Sequence, residues 1–580
     1  MALVSGGPCN GGISISWNLK KKARELLSKE SGTVYKEHGG RLRVCLVYPN
    51  RYGLGMANLG FQAVYGLLNN IDNCVCERAF LPEKEDLPEY ERTGSQLFSF
   101  ETQTPLREFD LIAFSAPFED DYFNIPVILK LAGVQVRSLD RSGPLVAAGG
   151  VAVGLNPEPL ALFMDFFLVG DAEGAAQPVI DRLMDCRAKG LGKHETLKTL
   201  DSIDWVFVPS FYEFEYDGIH IKSVKALDGA KKTVKASKAR DLDQFPVPQS
   251  FVYTPCTELP DTYCVEAERG CPRGCRFCAA GFLYLPPRMR EEKKVAEAVN
   301  AGLKRAGKVG LVGTAVSEYP AIKEILKRGI DEGGTITLSS LRLDELDNEF
   351  LALLKEAGYR TITLAPEAGT DRMRDIVNKG ITEDEIMESV RLIAEAGFTR
   401  LKLYFLVGLP EETDEDALGI AVLTKKIREA FRKGGEIILS VNPFVPKPFT
   451  PFQWHRFEDA GVVDRRLKMI KRELAKTGVK VTDMSAKEAF MQAFLARADR
   501  RAAEIIEKAS ESGWKRAMKG MESFIEESVY SVRGRDEILP WDIIDHGVKK
   551  GYFWKEFQKG LEGKQTPPCD VGNCVRCGVC

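Results

Sequence analysis

Cys271, Cys275 and Cys278 stand in C-x3-C-x2-C spacing within ERGCPRGCRFCAAGF, with Phe277 just before the last of them. Three thiolates can hold only three irons of a 4Fe–4S cube, so the fourth iron stays open to a ligand of its own. Structural zinc is the competing use of clustered cysteines. It favours two C-x2-C pairs, whereas this lone triplet follows a strand-like run. A second set, Cys569, Cys574, Cys577 and Cys580 in PPCDVGNCVRCGVC, has C-x4-C-x2-C-x2-C spacing. Its last three cysteines match the C-x2-C-x2-C runs of iron–sulfur sites, which makes an auxiliary 4Fe–4S cluster the first reading. A closed zinc tetrathiolate is the alternative, and a free redox tail comes third.

These cysteines sit in a chain of 580 residues, long enough for three or four domains at roughly 150 residues each. It is 44% hydrophobic and 28% charged, with a net charge of −3, so no global field draws it to nucleic acid or membrane. The basic runs at 20–22 and in KKTVKASKAR (231–240) read as solvated surface or linker rather than an RNA-binding patch. No stretch approaches the ~18 apolar residues of a membrane span, and the start shows no basic-then-apolar signal. Seven of the 14 cysteines fall in the two clusters, which points to metal in a reducing compartment. The expectation is a cytoplasmic protein.

The fold class expected is α/β: a Rossmann-like doubly wound domain, then a partial (β/α)6 TIM-type barrel, a mostly helical C-terminal region and a Cys-rich tail. Four apolar runs, RLRVCLVYP, FDLIAFSA, PLVAAGG and DFFLVGDAE, read as parallel strands buried on both faces, with helical patterns between them. Glycines follow their carboxyl ends, Gly149 and Gly150 among them, where a flat ligand could approach the backbone. GLGMANLG lacks the third glycine of a dinucleotide fingerprint. Further on, TYCVEAERG, KVGLVGTAV, GTITLSSLRL, YRTITLAPEAG, RLKLYFLVGLP and EIILSVNPFVP read as six strands. Amphipathic helices such as LDNEFLALLKEAG fill the gaps and stop at glycine. The expected limits are 1–40 for an N-terminal extension, 41–200 for the Rossmann domain, 201–255 for a linker and 256–455 for the barrel. A helical domain over 456–568 and the cysteine tail at 569–580 follow.

The cysteine triplet resembles the signature of the radical S-adenosylmethionine (radical SAM) superfamily. AAGGVAVGLNPEPL with LVGDAE resembles the cobalamin-binding domain that precedes many radical SAM cores. Adding APEAG, FLVGLPEET, PFVPKPFTPFQW and CGVC, nearly the whole chain beyond its first ~40 residues resembles cobalamin-binding-domain radical SAM proteins. That resemblance implies a SAM-binding 4Fe–4S cluster at Cys271, Cys275 and Cys278, S-adenosylmethionine, a second cluster and cobalamin. Ser339, Ser340 and Arg342 after the third strand, Glu367 after the fourth and Gly408 after the fifth are the residues it places near S-adenosylmethionine. Gly149 and Gly150 are those it places near the corrinoid. For each polar residue a helix cap or turn is the competing role. Two departures stand out: the usual G-G-E of the second strand reads Gly313-Thr314-Ala315, and none of the five histidines lies in a D-x-H-x-x-G motif. Phe444, Phe449, Phe452 and Trp454 are expected to seal the barrel mouth.

The implied activity is reductive cleavage of S-adenosylmethionine by an electron from a reductant such as flavodoxin or ferredoxin. The deoxyadenosyl radical then takes a substrate hydrogen, and methylcobalamin methylates the carbon. Methylthiolation or another sulfur insertion using the tail cluster is the alternative, and a non-catalytic corrinoid or redox sensor is another class. The substrate (RNA, protein or small molecule) and the oligomeric state are open at this stage.

Overall fold

The computed structural model describes residues 15–431 and 434–580. Residues 1–14, part of the expected N-terminal extension, lie outside the described residues. The N-terminal sheet has six strands, β1 (Leu42–Tyr48), β2 (Cys74–Phe80), β3 (Leu111–Ser115), β4 (Leu145–Gly149), β5 (Phe166–Leu168) and β6 (Val206–Phe207), in the order β2-β1-β3-β4-β5-β6. The first five are parallel, and β6 runs antiparallel to β5 at the edge. The order reverses between β1 and β3, which makes their carboxyl ends the switch point of the sheet.

Of these strands, β2 was not expected. β2 reads CVCERAF, and its Glu77 and Arg78 hide an otherwise apolar pattern. Both are buried and fully partnered. Arg78 pairs with Glu101 and Glu30 at 2.7 Å each, and Glu77 accepts from Ser99 Oγ at 2.5 Å and Thr102 Oγ1 at 2.7 Å. A buried charge persists only with such partners.

The six strands expected of the barrel are all present, but in two parallel sheets. Tyr263–Glu266, Lys308–Val312 and Thr335–Leu338 form one. Thr361–Glu367, Arg400–Val407 and Glu436–Pro443 form the other, extended by a seventh strand, Lys480–Asp483, in the region expected to be helical. The break falls between the third and fourth strands. There Leu338 N–H donates to the Tyr359 hydroxyl, so a side chain takes the place of a strand partner. Strands of the second sheet bury alternate residues, and helix Asp414–Ala430 begins at a capping box of Thr413 and Asp416.

The C-terminal helices bridge both units rather than packing only beside the barrel. Asn156 donates to the carbonyls of Ala496 and Ala498 at 3.1 and 2.8 Å, and Arg500 pairs with Glu158 at 2.7 Å. Phe444, Phe449, Phe452 and Trp454 are buried, as a seal requires, against His546, Phe557 and Trp554. The 231–240 run is only partly solvated. Lys238 Nζ turns inward onto the carbonyls of Leu285 and His546 at 2.6 and 2.5 Å.

The carboxyl ends of the two sets of strands face one another. Lys447, just beyond the sixth barrel strand, pairs at 2.6 Å with Glu119, just beyond β3. Asp171 and Glu173, beyond β5, reach the segment that follows the first barrel strand. No helix among the described residues is long and apolar enough to cross a membrane.

Candidate metal centre

Cys271, Cys275 and Cys278 occupy the loop between two short antiparallel strands, Glu268–Arg269 and Arg288–Met289. Both arms are anchored to the N-terminal sheet. Arg269 pairs with Asp171 at 2.9 Å, Glu173 at 2.7 Å and Glu266 at 2.9 Å, while Arg288 pairs with Asp171 at 2.6 Å. The arginines hold the Asp171 and Glu173 carboxyls below their usual range even though burial works the other way. LVGDAE, expected as part of a cobalamin motif, therefore braces the cysteine loop.

Burial pushes the Cys271 thiol up to about 12, and the neighbouring Cys275 and Cys278 add to the rise. A metal bound there would supply the positive charge that favours the thiolate. Around Cys275 stand Lys379, Glu367 and Arg342. Glu367 pairs with Lys379 at 3.1 Å and holds a left-handed backbone, φ 67°, a costly conformation for a side-chain-bearing residue and one that clusters at functional sites. The structure therefore brings Glu367 and Arg342 to the cysteine loop. Arg342 also pairs with Glu318 at 3.1 Å and Asp344 at 2.7 Å.

Ser339 and Ser340 are instead tied to the second-strand turn. Ser339 Oγ donates to Gly313 O at 2.8 Å and Ser340 Oγ accepts from Val316 N–H at 3.2 Å. Gly408 lies buried with φ 81°, its N–H donated to Glu412 at 2.6 Å, and a Cβ there would meet the Glu458 and Val463 side chains. Gly150 has φ 113°, and a Cβ there would lie 2.7 Å from Ala116 O, so glycine is required by the chain's own backbone. A Cβ at Gly149 would meet Leu168 O at 3.3 Å.

Three of the tail cysteines, Cys569, Cys574 and Cys577, stand beside the first loop, and Cys580 is exposed. Cys569 N–H donates to Pro272 O at 2.7 Å, and one narrow cavity is lined by Cys271 together with Cys569, Cys574 and Cys577. Arg576 Nε donates to Cys574 Sγ at 3.1 Å and, with its backbone, lowers that thiol's pKa. The Cys569 thiol is pushed up to about 11 by burial and then by Cys574, Cys580 and Cys577. Among the described residues no three Cys, His, Asp or Glu side chains form a ready-made group for a metal ion. The donor chemistry of the triplet nonetheless fits iron–sulfur ligation: Cys271, Cys275 and Cys278 are free thiols in one loop, with Lys379 and Arg342 near Cys275.

Residues 265–424 match the family described as the radical SAM superfamily, and residues 60–209 match radical SAM proteins, N-terminal. The chain belongs to the radical SAM superfamily. Membership implies a 4Fe–4S cluster and S-adenosylmethionine, and makes the chain an enzyme rather than a sensor. Uncharacterized protein MJ0966 of Methanocaldococcus jannaschii is 31% identical over 79% of this chain and 88% of its own length. Threonylcarbamoyladenosine tRNA methylthiotransferase MtaB of Aquifex aeolicus is 26% identical over 32% of this chain and 46% of its own length, so the chain spans about half of that relative. The radical SAM methyltransferase TsrM from Kitasatospora setae superposes with a TM-score of 0.45 at 13% identity, over 71% of this chain and 75% of that one.

Four further residues of this radical SAM site escaped the sequence reading. Glu268 is 3% exposed and accepts from Ala315 N–H at 2.6 Å, under the Gly313-Thr314-Ala315 turn. Arg276, between two of the cysteines, is fully buried and donates to Glu556 at 3.1 Å and Lys564 O at 2.6 Å. Asn378, with φ 54°, donates to Gly274 O at 3.2 Å and Thr566 O at 3.1 Å and accepts from Thr566 N–H at 2.8 Å. Lys379 follows it. Only the N-K-G turn at 378–380 offered a sequence signal, as a helix stop.

Proposed function

We propose that this radical SAM enzyme methylates an unactivated carbon, with cobalamin as methyl carrier and a second iron–sulfur cluster at the tail cysteines. The observation that carries the reading is the apposition of the two ligand-binding ends, joined by Lys447–Glu119 and by Arg269 with Asp171 and Glu173. A group held over the switch point of the N-terminal sheet is thereby aimed at the carboxyl ends of the barrel strands. The glycines after β4 are closed by the chain itself, so the fit lies over β1 and β3. There Phe118 is 58% exposed and Asn50 donates to Asp121 at 2.6 Å.

When bound, the cluster at Cys271, Cys275 and Cys278 supplies one electron to the sulfonium of S-adenosylmethionine, and cobalamin supplies a methyl group. Glu367, Lys379 and Arg342 offer one anion and two cations beside Cys275, a set suited to the amino, carboxylate and ribose groups of S-adenosylmethionine. The aromatic seal of Phe444, Phe449, Phe452 and Trp454 keeps water from the closing end.

Anaerobic reconstitution with iron, sulfide and hydroxocobalamin, with metals counted after gel filtration, tests the reading. About eight irons and one cobalt per chain are expected. Eight irons without cobalt would remove cobalamin-dependent methylation. A second reading, sulfur insertion, is favoured by the tail thiols that share a cavity with Cys271. It would consume sulfide, whereas methylation forms S-adenosylhomocysteine and deoxyadenosine.

A further inference from the structure

Right-handed crossovers put the connecting helices on one face of the second barrel sheet. That face is apolar, and Ile362, Leu364, Leu401, Leu403 and Leu439 are fully buried on it. The alternate residues stand on the inner face, where a closed barrel would carry packed layers of branched apolar side chains. Here that row includes Thr363, Lys402, Tyr404 and Ser440, all half-buried. Register sets Lys402 beside Thr363 and Tyr404 beside Ser440. At either end of the sheet cations are answered by acids, Arg400 by Glu436 at 2.6 Å and Lys379 by Glu367 at 3.1 Å. Lys402 is not. Among the described residues no carboxylate pairs with it, and its Nζ lies 4.8 Å from the centre of the Tyr404 ring. The ammonium therefore leans along the strand toward the end that carries Glu367 and the cysteine loop. Phe405, three residues beyond Lys402, is level with Glu367, a rise of roughly 10 Å.

We infer that Lys402 is the substrate anchor: it receives the carboxylate of a small molecule whose far end stands at the level of Glu367. The hydroxyls of Tyr404 and Ser440, which have no other partner among the described residues, complete the hydrogen bonds to that carboxylate. A single ammonium suits a monoanion, whereas a phosphate is matched by the guanidinium fork that this row lacks. An anchor roughly 10 Å inside the barrel is within reach of a small molecule and out of reach of a folded protein surface. The inference rests on the reading of the barrel as the seat of S-adenosylmethionine radical chemistry and names the substrate class for it.

The test follows para-fluorobenzoate and its neutral counterpart, para-fluorobenzamide, by fluorine NMR over the reconstituted full chain with S-adenosylmethionine present. The parent is expected to broaden the benzoate line and to leave the amide line sharp. Lys402→Met is expected to weaken benzoate binding about tenfold or more, and Lys402→Arg to keep most of it. Iron content and affinity for S-adenosylmethionine are expected to match the parent's in both variants. Equal binding of acid and amide, or parent-like benzoate binding by Lys402→Met, would overturn the anchor. Weakened S-adenosylmethionine binding in Lys402→Met would overturn it too, by giving Lys402 to the carboxylate of S-adenosylmethionine. Tighter binding of para-fluorophenyl phosphate than of the benzoate would overturn the carboxylate assignment. Absence of deoxyadenosine when the parent is reduced with dithionite would sink the radical reading itself, a result independent of the NMR lines.

Discussion

Glu268 brings a carboxyl group to a place that water barely reaches, and no cation answers it. Burial raises its pKa from 4.5 to about 7, against the N–H groups of Ala315 and Thr314, which lower it. Between those values the folded chain holds a proton that the unfolded chain releases. The stability this group confers is therefore complete below about pH 4 and is lost as pH rises through 7. Glu268→Gln keeps an acceptor for Ala315 and cannot ionise. The variant is expected to gain on the parent by about 2–3 kcal/mol between pH 4.5 and 8, read from denaturant melts at several pH values. A constant gap across that range would mean that Glu268 is already charged when folded. Asn378 works differently, since its amide and its left-handed backbone both matter. Asn378→Ala should cost about 2–3 kcal/mol, and Asn378→Gly should recover only the backbone share. Equal losses in the two variants would remove the backbone argument. Neither residue was legible in the sequence: a lone buried glutamate and an asparagine ahead of Lys-Gly look like ordinary turn residues until their distant partners are known.

Among the elements, strand identity was written in the chain wherever apolar residues ran together, as in β3 and β4, or alternated, as in the strands Thr361–Glu367, Arg400–Val407 and Glu436–Pro443. It was hidden where charges are neutralised by residues outside the strand, as with Arg78 of β2 and its partner Glu101. The hairpin that carries the cysteine loop belongs with the hidden cases, because Arg269 and Arg288 take their partner, Asp171, from the loop after β5, about 100 residues earlier. With Arg288 and Asp171 each 6% exposed, Asp171→Ala leaves Arg288 buried without a carboxylate partner, while Arg269 keeps Glu173 and Glu266. Such losses run to about 3–5 kcal/mol. Asp171→Ala is expected to destabilise by that amount and to speed loss of iron to a chelator. Adding Arg288→Ala should cost less than the sum of the separate changes, since the two residues share one interaction. Strict additivity in chemical denaturation would show that they act apart.

At the scale of the whole molecule, the N-terminal sheet is tied to the later strands at two places, by Asp171 with its arginines and by Lys447–Glu119. The sequence displayed both sets of strands but not their facing, since neither Lys447 nor Glu119 carries a motif. The Lys447–Glu119 pair is largely buried, with 18% and 6% of the side chains exposed, and it spans the closing segment of the barrel and the switch point of the sheet. Reversing one charge sets like charges 2.6 Å apart at that contact, while reversing both restores attraction with opposite polarity. Lys447→Glu and Glu119→Lys alone are therefore expected to open the contact and expose the connecting residues 208–262 to protease. The double reversal is expected to return cleavage to within about threefold of the parent rate, because coupling between contacting charges is recovered when both change. Cleavage as fast in the double variant as in either single one would show that the facing of the two sets of strands is held by packing of the C-terminal helices alone, with the ion pair a bystander.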